Sequence, residues 1–276
     1  MKRYLAIAAF ILGLAGGGSA HAGDHAAMNH AAMAKTEKSS VLLTLVPQDT
    51  LMAGKPVTVL VKLNNVQQHS LITPDQLEVT HTQPLHLLLI DQTFTDYQHI
   101  HPEPTATPGI YSFTFTPALP GAYRVWADVT LKSTGTQEFA MADLGNYHPG
   151  AIDRSERNET VMEGYRFGLS FDKPPVAGGE SVAMIHVTSS SGQPVDTLEP
   201  VMGAFAHLVG FYDDFHTVLH THPMDGEAAD STARGGPDLM FHLMPQKSGF
   251  IRLFAQVKIN GRELFVPFGI SVEKAP

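Results

Sequence analysis

Three histidines and a proline recur at the same spacing in two stretches of the chain. The repeated positions are His86, His99, His101 and Pro102 in the first stretch, and His207, His220, His222 and Pro223 in the second. Histidine makes up only 15 of 276 residues, so this agreement indicates an internal duplication. Neutral imidazole is the side chain that most often binds metals, and three of them can hold one transition-metal ion.

Each stretch is predicted to form a β-hairpin whose second strand carries the last two histidines. A short apolar run after the first histidine is typical of a strand, and the polar residues behind it are typical of a turn. Residues two apart on a strand share a face, so His99 and His101 are neighbours. If Ile90 pairs with Tyr97, His86 lies opposite His101 on that face. The hairpin then brings three imidazoles within reach of one metal ion.

The second stretch has additional groups that would favour copper. Met224, His242 and Met244 stand where the first copy has glutamate and two threonines. If the strand that carries His242 lies beside the hairpin, a fourth imidazole and a thioether join the cluster. Thioether ligands shift the preference from zinc towards Cu(I). The alternative is that Met240 and Met244 fill the core, as methionines often do.

The start of the chain is typical of an exported protein. Residues 1–22 combine two positive charges, a short apolar run and a small-residue cleavage site, which predicts a secretory signal peptide and a periplasmic location. The apolar run is too short to span a membrane. Residues 23–40 are small, polar and without periodicity, and we expect them to be disordered.

This leader carries its own candidate copper ligands. Histidine and methionine alternate in a near-repeat at His25, Met28, His30 and Met33. Imidazole together with thioether favours copper, and the thioether selects Cu(I). Cleavage after Ala22 would also leave Gly23, Asp24 and His25 as a square-planar nitrogen set suited to Cu(II). The alternative is a leader that only increases solubility.

The remaining chain predicts an all-β protein. Short apolar segments alternate with turn residues roughly every 8–12 residues, and helical periodicity is weak. We expect two tandem immunoglobulin-like antiparallel β-sandwich domains, residues 41–145 and 161–276, joined by a polar linker of residues 146–160. The match of Phe254 to Trp126 supports the duplication.

Composition excludes several classes of function. The chain has no cysteine, which excludes a blue-copper electron-transfer centre because that centre needs a thiolate. A net charge of −9 argues against nucleic acid and anionic membranes as partners. Four histidines have no counterpart in the repeat and are interpreted as ordinary residues: His69, His81, His148 and His186.

The duplicated H-x-H-P hairpin, followed by a strand of the form G-x-Y/I-R-x-W/F-A, resembles a family of bacterial exported β-sandwich proteins of heavy-metal and copper homeostasis. The leader is similar in style to that of CopC-like periplasmic copper carriers. Those carriers bind Cu(II) through a histidine at the mature N-terminus, which here would require cleavage after Ala20. The resemblance implies a role in copper homeostasis by association.

These features favour a periplasmic protein that sequesters copper or passes it to a membrane exporter or another periplasmic copper protein. Zinc is an alternative metal. Two other functions stay open: an interaction module that docks on a membrane complex and whose histidines are structural, and a metalloenzyme with an open fourth coordination position. Against an enzyme, the candidate general bases near the triads are Asp91 and Asp213, whose positions are typical of turns.

Overall fold

The computed structural model describes residues 39–275, except residues 222, 225 and 227 and the side chain of His220. The described residues fall within one compact unit. The predicted signal peptide and the candidate leader ligands Gly23, Asp24, His25, Met28, His30 and Met33 lie outside the described residues. Within the described part of the chain, no helix has the length and apolar character that a membrane span requires.

The first half of the described chain is an antiparallel β-sandwich. Its strands are β1 (Val41–Pro47), β2 (Val57–Asn65), β3 (Ser70–Leu71), β4 (His86–Asp91), β5 (Tyr97–Ile100), β6 (Glu103–Pro104), β7 (Ile110–Phe115), β8 (Tyr123–Leu131) and β9 (Thr136–Leu144). One sheet has the order β1-β2-β7-β6, with β3 also on β2, and the other has the order β5-β4-β8-β9. A single turn of 3-10 helix occupies Pro74–Gln76.

The second half repeats this arrangement. Its strands are β10 (Glu159–Met162), β11 (Tyr165–Phe171), β12 (Ser181–Ser189), β13 (Ala206–Tyr212), β14 (Val218–Thr221), β15 (Asp238–Leu243), β16 (Gly249–Ile259) and β17 (Arg262–Val272). The sheets have the orders β10-β11-β12-β15 and β14-β13-β16-β17. The predicted pair of immunoglobulin-like sandwiches is therefore confirmed.

One strand begins earlier than the sequence indicates. The predicted linker extended to residue 160, but β10 already starts at Glu159 and pairs with β11. Thr160 is buried, and its hydroxyl donates a hydrogen bond to the carbonyl oxygen of Pro267. This anchor makes the segment a strand although it has few apolar residues.

Each sandwich has its own core, built by the alternation of side chains along the strands. In β2, the inward residues Val57, Val59, Val61 and Leu63 are buried, while the residues between them are partly or fully exposed. The equivalent strand β12 shows the same alternation. Period-two burial of this kind is what fixes the register of a half-buried strand.

A third core joins the two halves. Every residue of β4 and of β13 is buried, because one face of each strand faces its own sandwich and the other faces the opposite half. The third core contains the same positions from both halves. The equivalent residues are Leu88 and Val209, Ile90 and Phe211, Phe94 and Phe215, Tyr97 and Val218, and Trp126 and Phe254. The hairpins that carry the histidine repeat therefore lie in an interface between the sandwiches.

Candidate metal centre

The hairpin of β4 and β5 has the register that the sequence predicted. Ile90 pairs with Tyr97 and Leu88 with His99, so the next pair on that face is His86 with His101. Leu88 and Ile90 belong to the third core. The three histidines therefore face the second half, at the end of this core.

Their ring nitrogens converge on one point. Nδ1 of His86 lies 3.0 Å from Nε2 of His99 and 3.1 Å from Nε2 of His101. The ligand atoms of all three residues lie within 4.8 Å of one another. Metal–nitrogen bonds of about 2.0–2.1 Å need ring nitrogens roughly 3–4 Å apart. The convergence predicted for the first triad is present, and its use as a metal site stays a prediction.

Outer hydrogen bonds set the tautomers of two of these rings. Nε2 of His86 lies 2.9 Å from the carbonyl oxygen of Thr80, which can only accept a hydrogen bond, so Nε2 carries the proton. Nδ1 of His99 lies 2.9 Å from Oε1 of Gln256. The amide nitrogen of Gln256 donates to Glu263, which fixes the amide oxygen towards His99. In their neutral forms, both rings therefore direct a lone pair into the cluster.

His101 completes the set as a neutral ligand. Burial, and secondarily the proximity of His86, lowers the pKa of His101 to about 4. Near neutral pH this imidazole is therefore uncharged and keeps a lone pair. Nε2 of His101 lies 3.1 Å from Nδ1 of His86, so it donates a hydrogen bond there in one tautomer, and in the other it offers a lone pair that, with those of His86 and His99, can bind a metal ion.

The second half contributes to this centre. Gln256 belongs to β16, and the ring centroid of His207 lies 6.4 Å from that of His99. His81 lies between the halves, with its ring centroid 5.0 Å from that of His207 and 6.4 Å from that of His86. The interpretation of His81 as an ordinary residue missed this position.

The turn that carries His81 recurs in the second half. His81 precedes His86 by five residues, as Met202 precedes His207. Both have a positive φ, 46° for His81 and 49° for Met202. The residue before each of them, Thr80 or Val201, offers its carbonyl oxygen to Nε2 of the first histidine of the repeat, at 2.9 Å in both halves. Equivalent tight turns thus hold His86 and His207.

The second triad is described only in part. His207 is buried, as His86 is. The side chain of His220 and all of His222 lie outside the described residues. Convergence of the second triad therefore stays a prediction.

A family model described as a domain of unknown function (DUF8832) matches the chain twice, at residues 35–143 and 159–274. The chain belongs to this family. The two matches coincide with the two sandwiches and confirm the internal repeat. No curated protein matches the chain.

Solved structures similar to the DUF8832 chain include alpha-2-macroglobulin from Escherichia coli. The trypsin-activated form gives a TM-score of 0.27 at 14% identity, and the match covers 86% of this chain and 16% of the other. The native conformation gives 0.27 and 14%, with 84% and 14% covered. The chain thus spans less than a fifth of these proteins, and at such scores the likeness carries no argument about function.

The additional ligands expected in the second DUF8832 repeat lie on a different sheet from His207. The strand β15 pairs with β12, whereas His207 is in β13 of the opposite sheet. Nε2 of His242 lies 3.8 Å from Oε2 of Glu180. Met244 follows β15 and is partly buried. β15 takes the edge next to β12, in the other sheet from the hairpin, and also contacts β14, so the addition of His242 and Met244 to the cluster stays a prediction.

Strand β14 of the second hairpin contacts β15, and the chain after the hairpin also reaches it. An isolated bridge joins Pro223 to Phe241, and the backbone N–H of Met224 donates to the carbonyl oxygen of Met240. The alternative that Met240 fills the core is wrong, because the residue is 37% exposed. Whether His242 and Met244 join His222 stays a prediction.

The two aspartates weighed as general bases have structural contacts. Asp91 is buried and accepts hydrogen bonds from the backbone N–H groups of Thr93, Thr95 and Asp96, as expected of a turn residue. Asp213 instead forms an ion pair with Arg154, 2.9 Å from oxygen to nitrogen.

Proposed function

We propose that this protein binds copper at the centre formed by His86, His99 and His101, and that it sequesters the metal or passes it to a membrane exporter or another copper protein. The observation that carries the proposal is the convergence of three ring nitrogens, two of which, on His86 and His99, have their lone pairs directed inwards by Thr80 and Gln256. The signal-like first 22 residues support export to the periplasm.

A metal centre accounts for this arrangement better than a structural role does. A structural histidine normally pairs a donor with an acceptor, and here the outer nitrogens of His86 and His99 already do so. In the tautomers set by these bonds, the inner nitrogens of His86 and His99 face each other as two acceptors 3.0 Å apart, which is unfavourable in a buried site. A bound cation removes this conflict, and outer hydrogen bonds of this kind are typical of metal-bound histidines.

Copper is the metal that the ligand set favours. Imidazole suits both copper and zinc, but a given nitrogen site binds Cu(II) more tightly than Zn(II) in the usual order of divalent metals. The Met/His-rich leader adds ligands with the same preference. Zinc is therefore the competitor against which the selectivity has to be measured.

The direct test is metal binding by the full-length protein and two single variants. His99→Gln removes one inner nitrogen, and His148→Gln is the matched control because His148 is exposed in the segment between the sandwiches. We expect His99→Gln to lose one equivalent of tightly held copper in a competition titration against a chelator, and the control to keep it. Leader sites contribute equally to all three proteins. Equal copper content and affinity in the parent and in His99→Gln would exclude the centre.

A further inference from the structure

Three methionines of the second half form one row across three neighbouring strand segments. Met184 of β12 pairs directly with Met240 of β15. Met224 continues the row, because the bridge of Pro223 to Phe241 and the hydrogen bond from Met224 to Met240 place these two methionines opposite each other. Directly opposed residues share a face, with their Cβ atoms about 4.5–5.5 Å apart.

This row lies on the outer surface of the sandwich. The neighbours of Met240 along β15, Leu239 and Phe241, are buried in the core, so Met240 points outwards. The alternation along β12 directs Met184 outwards as well. Met184, Met240 and Met224 are 36%, 37% and 50% exposed. Packing of the core therefore does not explain why methionine occupies these positions.

The first half provides an internal comparison. Leu60 of β2 pairs with Ser112 of β7, and Ser112 pairs with Glu103 of β6, in the same arrangement. One aliphatic, one hydroxyl and one carboxylate side chain thus stand where the second half has three thioethers. The scaffold accepts other residues at these positions, so the fold alone does not require methionine.

We propose that Met184, Met224 and Met240 form a surface site for a soft monovalent cation, namely Cu(I), with Ag(I) as its chemical analogue. Thioether sulfur selects Cu(I) over zinc and over harder cations. Unbranched methionine side chains on neighbouring strands are long and flexible enough to bring three sulfur atoms to one ion. The site is separate from the histidine centre, and it does not depend on the function proposed for that centre.

The test uses full-length protein labelled with carbon-13 in the methionine methyl groups. Silver nitrate, and separately Cu(I) under anaerobic conditions, are the probes, and single leucine substitutions of Met184, Met224 and Met240 assign the three signals. We expect these three signals to shift together along one binding curve that saturates. The signal of Met52, which is 56% exposed on the first half, serves as the control and should not move.

Three outcomes decide the inference. Joint saturation of the three signals, lost from the remaining two when any one methionine is replaced by leucine, supports it. Absent shifts, or shifts that only follow those of Met52, overturn it. The same experiment on His99→Gln separates the two proposals, because the methionine shifts should persist when the histidine centre is lost.

A gain-of-site variant tests whether the row itself is sufficient. Leu60→Met, Glu103→Met and Ser112→Met together copy the row onto the first half. We expect three new methyl signals that respond jointly to silver, as those of the second half do. New signals that stay unchanged in the folded variant would overturn the claim that three neighbouring thioethers on this sheet make the site.

Discussion

Gln256 is the residue through which the second half acts on the histidine centre. Its amide oxygen faces Nδ1 of His99, and its amide nitrogen donates to Glu263. The side chain therefore cannot turn its nitrogen towards His99 without placing its oxygen against a carboxylate. This arrangement holds His99 in the tautomer whose Nε2 can bind a metal.

Replacing this amide should weaken metal binding without unfolding the protein. In Gln256→Leu, His99 loses the acceptor that orients its ring, and we expect the copper affinity of the centre to fall about 10–100-fold, the usual effect of losing such an outer contact. A chelator competition titration measures the change. Gln48→Leu, an exposed site in the first half, is the control. An unchanged affinity in Gln256→Leu would contradict the assigned role.

The buried environment of His101 makes the stability of the metal-free protein depend on pH. The pKa of His101 is about 4 in the folded protein and about 6.5 in the unfolded chain. Above pH 6.5 both states are neutral at this residue. Between these values only the unfolded chain binds a proton, so the free energy of unfolding should fall as the pH is lowered from about 6.5 to about 4.

Urea denaturation at pH 7 and pH 5, in the presence of a chelator, measures this dependence. His101→Gln lacks the titrating group and should lose less stability between the two pH values than the parent does. An identical loss in both proteins would show that the pH dependence arises from other groups.

At the scale of elements, the turn between β4 and β5 positions the histidines, and Asp91 closes it. Three backbone N–H groups within the turn donate to this one buried carboxylate. In Asp91→Ala these donors lose their partner, and we expect a loss of about 1–3 kcal/mol in the free energy of unfolding. Urea denaturation measures it, with the exposed Asp49→Ala as control.

The same change should also affect the candidate metal centre. The turn sets the pairing of Ile90 with Tyr97, and this register carries His99 and His101 to His86. Copper affinity should therefore fall in Asp91→Ala together with stability. A variant that is destabilised but binds copper as the parent does would show that the hairpin keeps its register without the turn.

The sequence predicted this hairpin because its geometry is local. The period-two pattern and the loop length fix which residues oppose one another, and both can be read from consecutive residues. The roles of His81 and Gln256 could not be found in this way. Both roles depend on what covers the outer face of β4. A continuous apolar run shows that a strand is buried on two faces, but it does not show which part of the chain covers the second face.

A comparable limit applies to β15 and β10. The position of His242 relative to the hairpin depends on the sheet partner of β15, which the spacing within β15 does not specify. The segment of Glu159 to Met162 has too few apolar residues to be recognised as a strand from the sequence. In the structure, the hydroxyl of Thr160 anchors it. Long-range pairing decided both cases.

At the scale of the whole molecule, the two sandwiches are joined by polar as well as apolar contacts. The indole N–H of Trp126 donates to the carbonyl oxygen of His216, at 3.2 Å. The guanidinium of Arg124 donates to the carbonyl oxygen of Phe215, at 2.7 Å, and also pairs with Asp143. These directional contacts fix how one half is placed on the other, and therefore where Gln256 lies relative to His99.

Truncating Trp126 should affect both stability and metal binding. Trp126→Ala leaves a cavity in the third core, and we expect a loss of about 3–5 kcal/mol in the free energy of unfolding. Copper affinity should fall as well, because the halves no longer hold Gln256 against His99. Denaturation and chelator competition on the same preparation measure the two effects.

Phe113→Ala is the matched control for this experiment. Phe113 lies in the core of the first sandwich alone, away from the contact between the halves. It should cost a comparable amount of stability while the folded protein binds copper with nearly the parent affinity. If Trp126→Ala and Phe113→Ala had the same effect on copper affinity, the centre would not depend on the contact between the sandwiches.

The use of equivalent positions on both sides of the third core has a consequence for how the molecule can evolve. Two separate copies of one sandwich that met through this face would form a symmetric dimer, and every residue near the axis would have to serve both sides. When the two copies are joined in one chain, equivalent positions no longer have to carry the same residue. His81 occupies the position equivalent to that of Met202, and Asp128 the position equivalent to that of Gln256. A single mutation then changes only one half of the molecule, whereas in a symmetric dimer the same mutation would change both subunits.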